Sequence, residues 1–93
     1  MYIILVYDIS LENEQGARVL NRIFKICKRY LTHIQNSVFE GELTPVLMEK
    51  LKIELKEFIR KNIDSVIIFE IPQNKKLKKH FWGKIDEKTS NFF

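Results

Sequence analysis

Asp8 is the residue of this chain best placed to do chemistry. It ends an apolar opening run, Met1 to Tyr7, that reads M-Y-I-I-L-V-Y. A carboxylate is costly to bury alone, so such a strand releases an aspartate where water, a metal or a partner charge can reach it. The structural alternative is that Asp8 opens and caps the turn Asp-Ile-Ser-Leu-Glu-Asn. As a ligand it suits a hard cation. Mg²⁺ takes oxygen donors and keeps several waters, so one or two carboxylates suffice. An ion there would polarise a phosphate and activate water. If a dimer axis passes near the end of the strand, two Asp8 side chains face each other and share one ion or one proton.

The second group able to do chemistry is cationic. Arg18, Arg22, Lys25 and Arg29 are spaced by four, three and four residues, with Lys28 nearby, and no Asp or Glu lies between Gln15 and Phe39. An ordinary solvated helix face mixes signs. A one-sign row fits phosphates along a nucleic-acid backbone, where Arg and Lys are needed in succession. Lys75, Lys76, Lys78 and Lys79 precede His80, Phe81 and Trp82. That stretch either grips a backbone and stacks on bases or is a solvated loop. The net charge of +4 agrees with a polyanionic partner, though placement matters more than the total.

Other chemistries find little support. The single cysteine, Cys27, permits no internal disulfide and no zinc site of its own. It falls on an apolar helix face and is expected to pack as a small hydrophobe. His33 and His80 show no metal-ligand spacing. No Ser/His/Asp or Cys/His arrangement, glycine-rich phosphate loop or dinucleotide fingerprint is present.

The elements that must position these residues follow from periodicity. The opening run, with Ile, Leu and Val in succession, predicts a central strand buried on both faces. A polar connection over about Ile9–Gln15 leads to a helix from about Gly16 to Leu31. Its stripe is Val19, Ile23, Ile26 and Tyr30, with Leu20, Cys27 and Leu31 alongside. His33 to Leu43 predicts either one strand bent near Asn36 and Ser37 or two short strands, with Gly41 allowing a turn. Thr44-Pro45 marks a helix start, and Leu47, Leu51, Leu55 and Phe58 carry that helix to about Asn62. Its other face mixes Glu49, Lys50, Lys52, Glu54, Lys56, Glu57 and Arg60. Ser65 to Ile71 is a further strand stopped by Pro72, and Phe81 to Ile85 a short edge strand.

This order describes one small α+β domain over residues 1–85, with 86–93 as a C-terminal tail. Two helices cover one face of a mainly antiparallel sheet, as in ferredoxin-like folds. A chain of 93 residues buries only a modest core. The second sheet face therefore calls for another subunit, most simply in a two-fold homodimer. No apolar run is long enough to span a bilayer and the opening run lacks the flanks of a signal peptide. A cytoplasmic location without membrane association is the expectation.

V-Y-D-I-S at the end of strand one, K-R-Y-L-T-H-I-Q-N-S-V-F-E-G-E-L-T, S-V-I-I-F-E and the terminal T-S-N-F-F together resemble the small CRISPR-associated endonuclease family of the spacer-acquisition machinery. The resemblance implies a ferredoxin-like homodimer whose C-terminal segment docks on the partner's sheet. It implies a metal-dependent endonuclease acting on single-stranded RNA or double-stranded DNA, with Asp8 binding Mg²⁺. Tyr7 and Phe39 fall on positions with supporting catalytic roles, and Arg22 falls near an arginine of the first helix. His33 stands where the family often has arginine. The same resemblance implies a second role, a non-catalytic dimeric scaffold that bridges integrase subunits on protospacer DNA.

Overall fold

The protein is described by a computed structural model covering residues 1–72 and 75–83. Its elements are β1 (Tyr2–Asp8), α1 (Gly16–Tyr30), β2 (Thr32–Gln35), β3 (Val38–Glu42), α2 (Pro45–Lys56) and β4 (Ser65–Ile71). Among the described residues the strands form one sheet in the order β2-β3-β1-β4. Every neighbouring pair is antiparallel. Two helices pack on one face, which is the α+β, ferredoxin-like arrangement that the order of elements predicts.

β1 alternates. Ile3, Leu5 and Tyr7 are buried beneath the helices, whereas Tyr2, Ile4 and Val6 are half-buried on the other face. Burial on both faces, expected from the apolar run, is thus not achieved within one chain. β4 repeats the pattern. Val66 and Ile68 turn inward, and Ile67 and Phe69, 52% and 55% exposed, share the helix-free face with their register partners Val6 and Ile4. Phe39, Ile23, Cys27 and Leu51 complete the centre of the core with Ile3 and Leu5.

α1 starts where Gly16 permits close approach. A Cβ on Gly16 would stand 2.3 Å from the Ser10 carbonyl oxygen and 2.8 Å from the Leu11 Cα, so the preceding loop lies directly against the helix backbone. His33–Leu43 resolves into two strands rather than one bent strand. The hairpin between β2 and β3 turns at Asn36 (φ 41°), a left-handed conformation that Asn tolerates. The register also shifts between His33 and Gln35. Gly41 does not turn the chain: it lies within β3, where a Cβ would meet Leu31 Cδ2 at 3.0 Å.

α2 begins as its sequence indicates, with the Leu47 N–H donating to Thr44 Oγ1 at 3.2 Å and Pro45 in the first turn. It ends at Lys56, a turn and a half before the expected Asn62. Past that end the Glu57 and Phe58 N–H groups bond to carbonyls three residues back, Glu54 and Leu55, and the Arg60 N–H bonds to the Asp64 carboxylate at 2.8 Å instead of to a helical carbonyl. The edge strand expected over Phe81–Ile85 is not formed at 81–83. Residues 84–85 and the 86–93 tail lie outside the described residues. Among the described residues no helix is long and apolar enough to cross a membrane.

Candidate functional site

Asp8 closes β1 and is exposed. By the alternation of the strand it shares the helix-free face with Ile4 and Val6, opposite exposed Ser65 of β4. Tyr7 and Phe39 take the other side. Both are buried in the core, their ring centroids 5.9 Å apart. Phe39 also packs against Phe24 and His33, at 5.6 Å and 4.8 Å. Burial pushes the Tyr7 hydroxyl up to about 12, with the neighbouring Cys27 thiol adding to the shift. Tyr7 and Phe39 therefore support the strand that carries Asp8 from beneath and do not converge with it on one surface. His33 is tied to the hairpin, its Nε2 being 2.9 Å from the Asn36 carbonyl oxygen.

The loop after Asp8 is anchored by Arg60, expected on a solvated helix face, and by Asp64. The Asp64 side chain is fully buried and receives Arg60 Nε at 2.8 Å. It also accepts the Ser10 N–H at 2.9 Å. The Arg60 guanidinium donates onward to the Ser10 carbonyl at 2.6 Å and to Asn13 Oδ1 at 2.7 Å. Bonds from Arg60, reinforced by the Arg60 and Ser10 backbone N–H groups, hold the Asp64 carboxyl down at about 2. The signal in the sequence was an acid immediately before an apolar strand, four residues after an arginine.

The cationic ridge of α1 exists, and it is partly engaged. Arg18, Arg22, Lys25 and Arg29 are all exposed, but Arg22, Lys25 and Arg29 border the groove between the helices, where Glu54 of α2 and its C-cap residue Glu57 stand. Arg29 is ion-paired with Glu54. The Tyr30 hydroxyl donates to the same carboxylate. Tyr30 and then Arg29 lower the Glu54 pKa, while Glu54 raises that of Tyr30. The Arg22 guanidinium lies 5.4 Å from the centroid of the Phe58 ring. Arg18 and Lys25 form no ion pair among the described residues. The absence of acids within α1 thus concealed partners supplied by α2.

The basic segment 75–83 lies on the sheet face opposite the helices. Leu77 and Phe81 line one cavity of about 490 Å³ with Ile4, Ile34 and Val38. Lys79 is paired with the buried carboxylate of Glu40. Desolvation and then hydrogen bonding to Glu40 push the Tyr2 hydroxyl up to about 12. Lys75, Lys76 and Lys78 are exposed, as is Trp82, at 90%. Among the described residues no group of three or more His, Cys, Asp or Glu could hold a metal ion. The described residues therefore offer no full protein cage. An exposed carboxylate fits an ion that keeps most of its waters.

The family model described as "CRISPR associated protein Cas2" matches residues 1–79. The chain belongs to the Cas2 family. Among Cas2 relatives, a Fusobacterium nucleatum subsp. nucleatum protein named CRISPR-associated endoribonuclease Cas2 is 51% identical over 92 residues, covering 99% of this chain and 86% of its own length. A Moorella thermoacetica protein named CRISPR-associated endoribonuclease Cas2 2 is 37% identical over 89 residues, covering 96% and 98%. The crystal structure of Streptococcus pyogenes Cas2 at pH 6.5 superposes with a TM-score of 0.72 at 29% identity, covering 84% of this chain and all of that one. A second Cas2 crystal structure gives a TM-score of 0.75 at 38% identity, covering 94% and 91%.

Proposed function

We propose that this Cas2 protein is a homodimeric, Mg²⁺-dependent endonuclease acting in CRISPR spacer acquisition. The observation that carries the reading is the exposure of Asp8 at the end of β1, on the face the helices leave uncovered. Ile67 and Phe69 on that face remain more than half exposed, apolar surface that a second copy would bury. A two-fold axis near the strand end brings two Asp8 carboxylates within reach of one ion. Asp8 would hold the Mg²⁺, which would polarise the scissile phosphate and activate water. Arg18, Arg22 and Lys25 would position the substrate backbone, with Lys75, Lys76 and Lys78 as further phosphate contacts. The relatives' name, endoribonuclease, favours RNA as substrate; single-stranded RNA is the first substrate to test and double-stranded DNA the second.

A second reading is favoured by the burial of Tyr7 and Phe39 away from Asp8. With no histidine or lysine paired with the Asp8 carboxylate among the described residues, the site is sparse for a dedicated nuclease. In that reading the basic dimer is a scaffold that bridges integrase subunits on protospacer DNA. The deciding experiment is cleavage of single-stranded RNA and double-stranded DNA by highly purified protein, with Mg²⁺ or with EDTA, beside Asp8→Ala. Mg²⁺-dependent cleavage that Asp8→Ala abolishes supports the nuclease. Nucleic-acid binding and integrase association with no Asp8-dependent cleavage support the scaffold.

A further inference from the structure

The loop leaving Asp8 is exposed at Leu11 through Gln15, yet its path is fixed from below. Asp64 accepts four hydrogen bonds: the Ser10 and Arg60 backbone N–H groups at 2.9 Å and 2.8 Å, Arg60 Nε at 2.8 Å and Arg60 Nη2 at 3.0 Å. A carboxylate so occupied has little capacity left for a metal or a substrate proton. Its contacts are aimed at the loop instead. Arg60 and Asp64 together hold both the N–H and the carbonyl of Ser10, and Arg60 Nη1 adds Asn13 Oδ1 at 2.7 Å. An ion pair serving α2 alone would need none of these loop contacts. Gly16 closes the other side, its Cα seated against the Ser10 carbonyl. Asp8 itself pairs across the sheet with Ser65, the residue after Asp64.

We propose that Arg60 and Asp64 are positioning residues for Asp8: by clamping Ser10 and Asn13 they set the direction in which the Asp8 carboxylate leaves the sheet. The inference rests on the reading of Asp8 as the cation ligand. Neither Arg60 nor Asp64 touches substrate in it. Loss of a group that orients a metal ligand lowers metal affinity or activity by about 10–100-fold.

The test is an Mg²⁺ titration of RNA cleavage by the full-length wild type, Asn13→Ala, Arg60→Lys, Arg60→Gln and Asp8→Ala. Asn13→Ala removes the Arg60 Nη1 tie, together with the exposed bond from the Gln15 N–H at 3.1 Å, without stranding a buried charge. It should raise the half-activating Mg²⁺ concentration several-fold, leaving the melting temperature and the KM for RNA nearly unchanged. Arg60→Gln should raise that concentration by about ten-fold or more. Arg60→Lys should fall between, because an ammonium still neutralises Asp64 but cannot reach Ser10 and Asn13 together. Wild-type Mg²⁺ response in both Asn13→Ala and Arg60→Lys, with Asp8→Ala inactive, overturns the clamp alone. Those two variants decide the matter even if Arg60→Gln does not fold. Absence of cleavage by the wild type, or full cleavage by Asp8→Ala, overturns the reading of Asp8 and the clamp with it.

Discussion

Asp64 and Cys27 are both buried, and their surroundings move them in opposite directions. Desolvation raises the Cys27 thiol to about 12. In the folded protein it is expected to resist thiol reagents at neutral pH; titration should release one thiol only after denaturant is added. Asp64 is held at about 2 by Arg60 and the Ser10 and Arg60 N–H groups, against an unfolded value near 3.9. A lowered folded value means that its stabilisation is complete above the unfolded value and fades as pH falls through about 4 towards 2. Asp64→Asn should therefore cost about 1–3 kcal/mol at pH 7, and urea melts should show the gap from wild type narrowing below pH 3. Asp8 was legible because an acid after an apolar strand stands out. Asp64 precedes an apolar strand in the same way. Its role is not legible in the sequence, because Ser10, whose N–H it accepts, lies in a loop far away in the chain.

Where elements begin is set by local chemistry, and where they end by chemistry from elsewhere. The start of α2 was readable because Thr44 and Pro45 act on their own helix. Thr44→Ala should cost about 1 kcal/mol, measurable as a lower urea midpoint at unchanged slope. The end of α2 was not readable, since the Arg60 N–H beyond it is taken by Asp64 and not by a helix carbonyl. A similar limit applied to Gly16 and Gly41. Neither makes a turn, and each makes room for a neighbour that only the fold reveals, the Ser10 carbonyl for one and Leu31 for the other. Gly16→Ala should destabilise the protein by more than the helix propensity of alanine returns, about 1 kcal/mol, because backbone and not a flexible side chain stands in the way. A thermal melt of the variant checks the sign.

For the whole molecule, cationic residues stand on both faces, because segment 75–83 lies on the sheet face opposite the helices. The helices present the arginine ridge, and the open sheet face presents Ile67 and Phe69. Light scattering of the wild type at micromolar concentration should give the mass of two chains, and Phe69→Glu should give one. A salt titration of nucleic-acid binding should rank the ridge. Arg18→Gln and Lys25→Gln should each flatten the log–log slope by about 0.7–0.9 unit. Arg29→Gln should flatten it less, since Glu54 already neutralises that charge. The ridge was legible as a spacing, whereas its partial neutralisation depended on which helix packs beside it.

The strand order β2-β3-β1-β4 also has a kinetic meaning. β1 is made first but sits between two strands that come later, and its pairing with β4 closes the longest loop in the sheet. Pairings so distant in sequence are slow to form. A chain emerging from the ribosome therefore carries β1 with one bare edge until residue 71 is free. Asp8 finds its neighbour Ser65, and Ser10 its anchor Asp64, only at that last closure. The setting of Asp8 is thus expected to be completed in the final step of folding, so no truncated chain ending before β4 can assemble it.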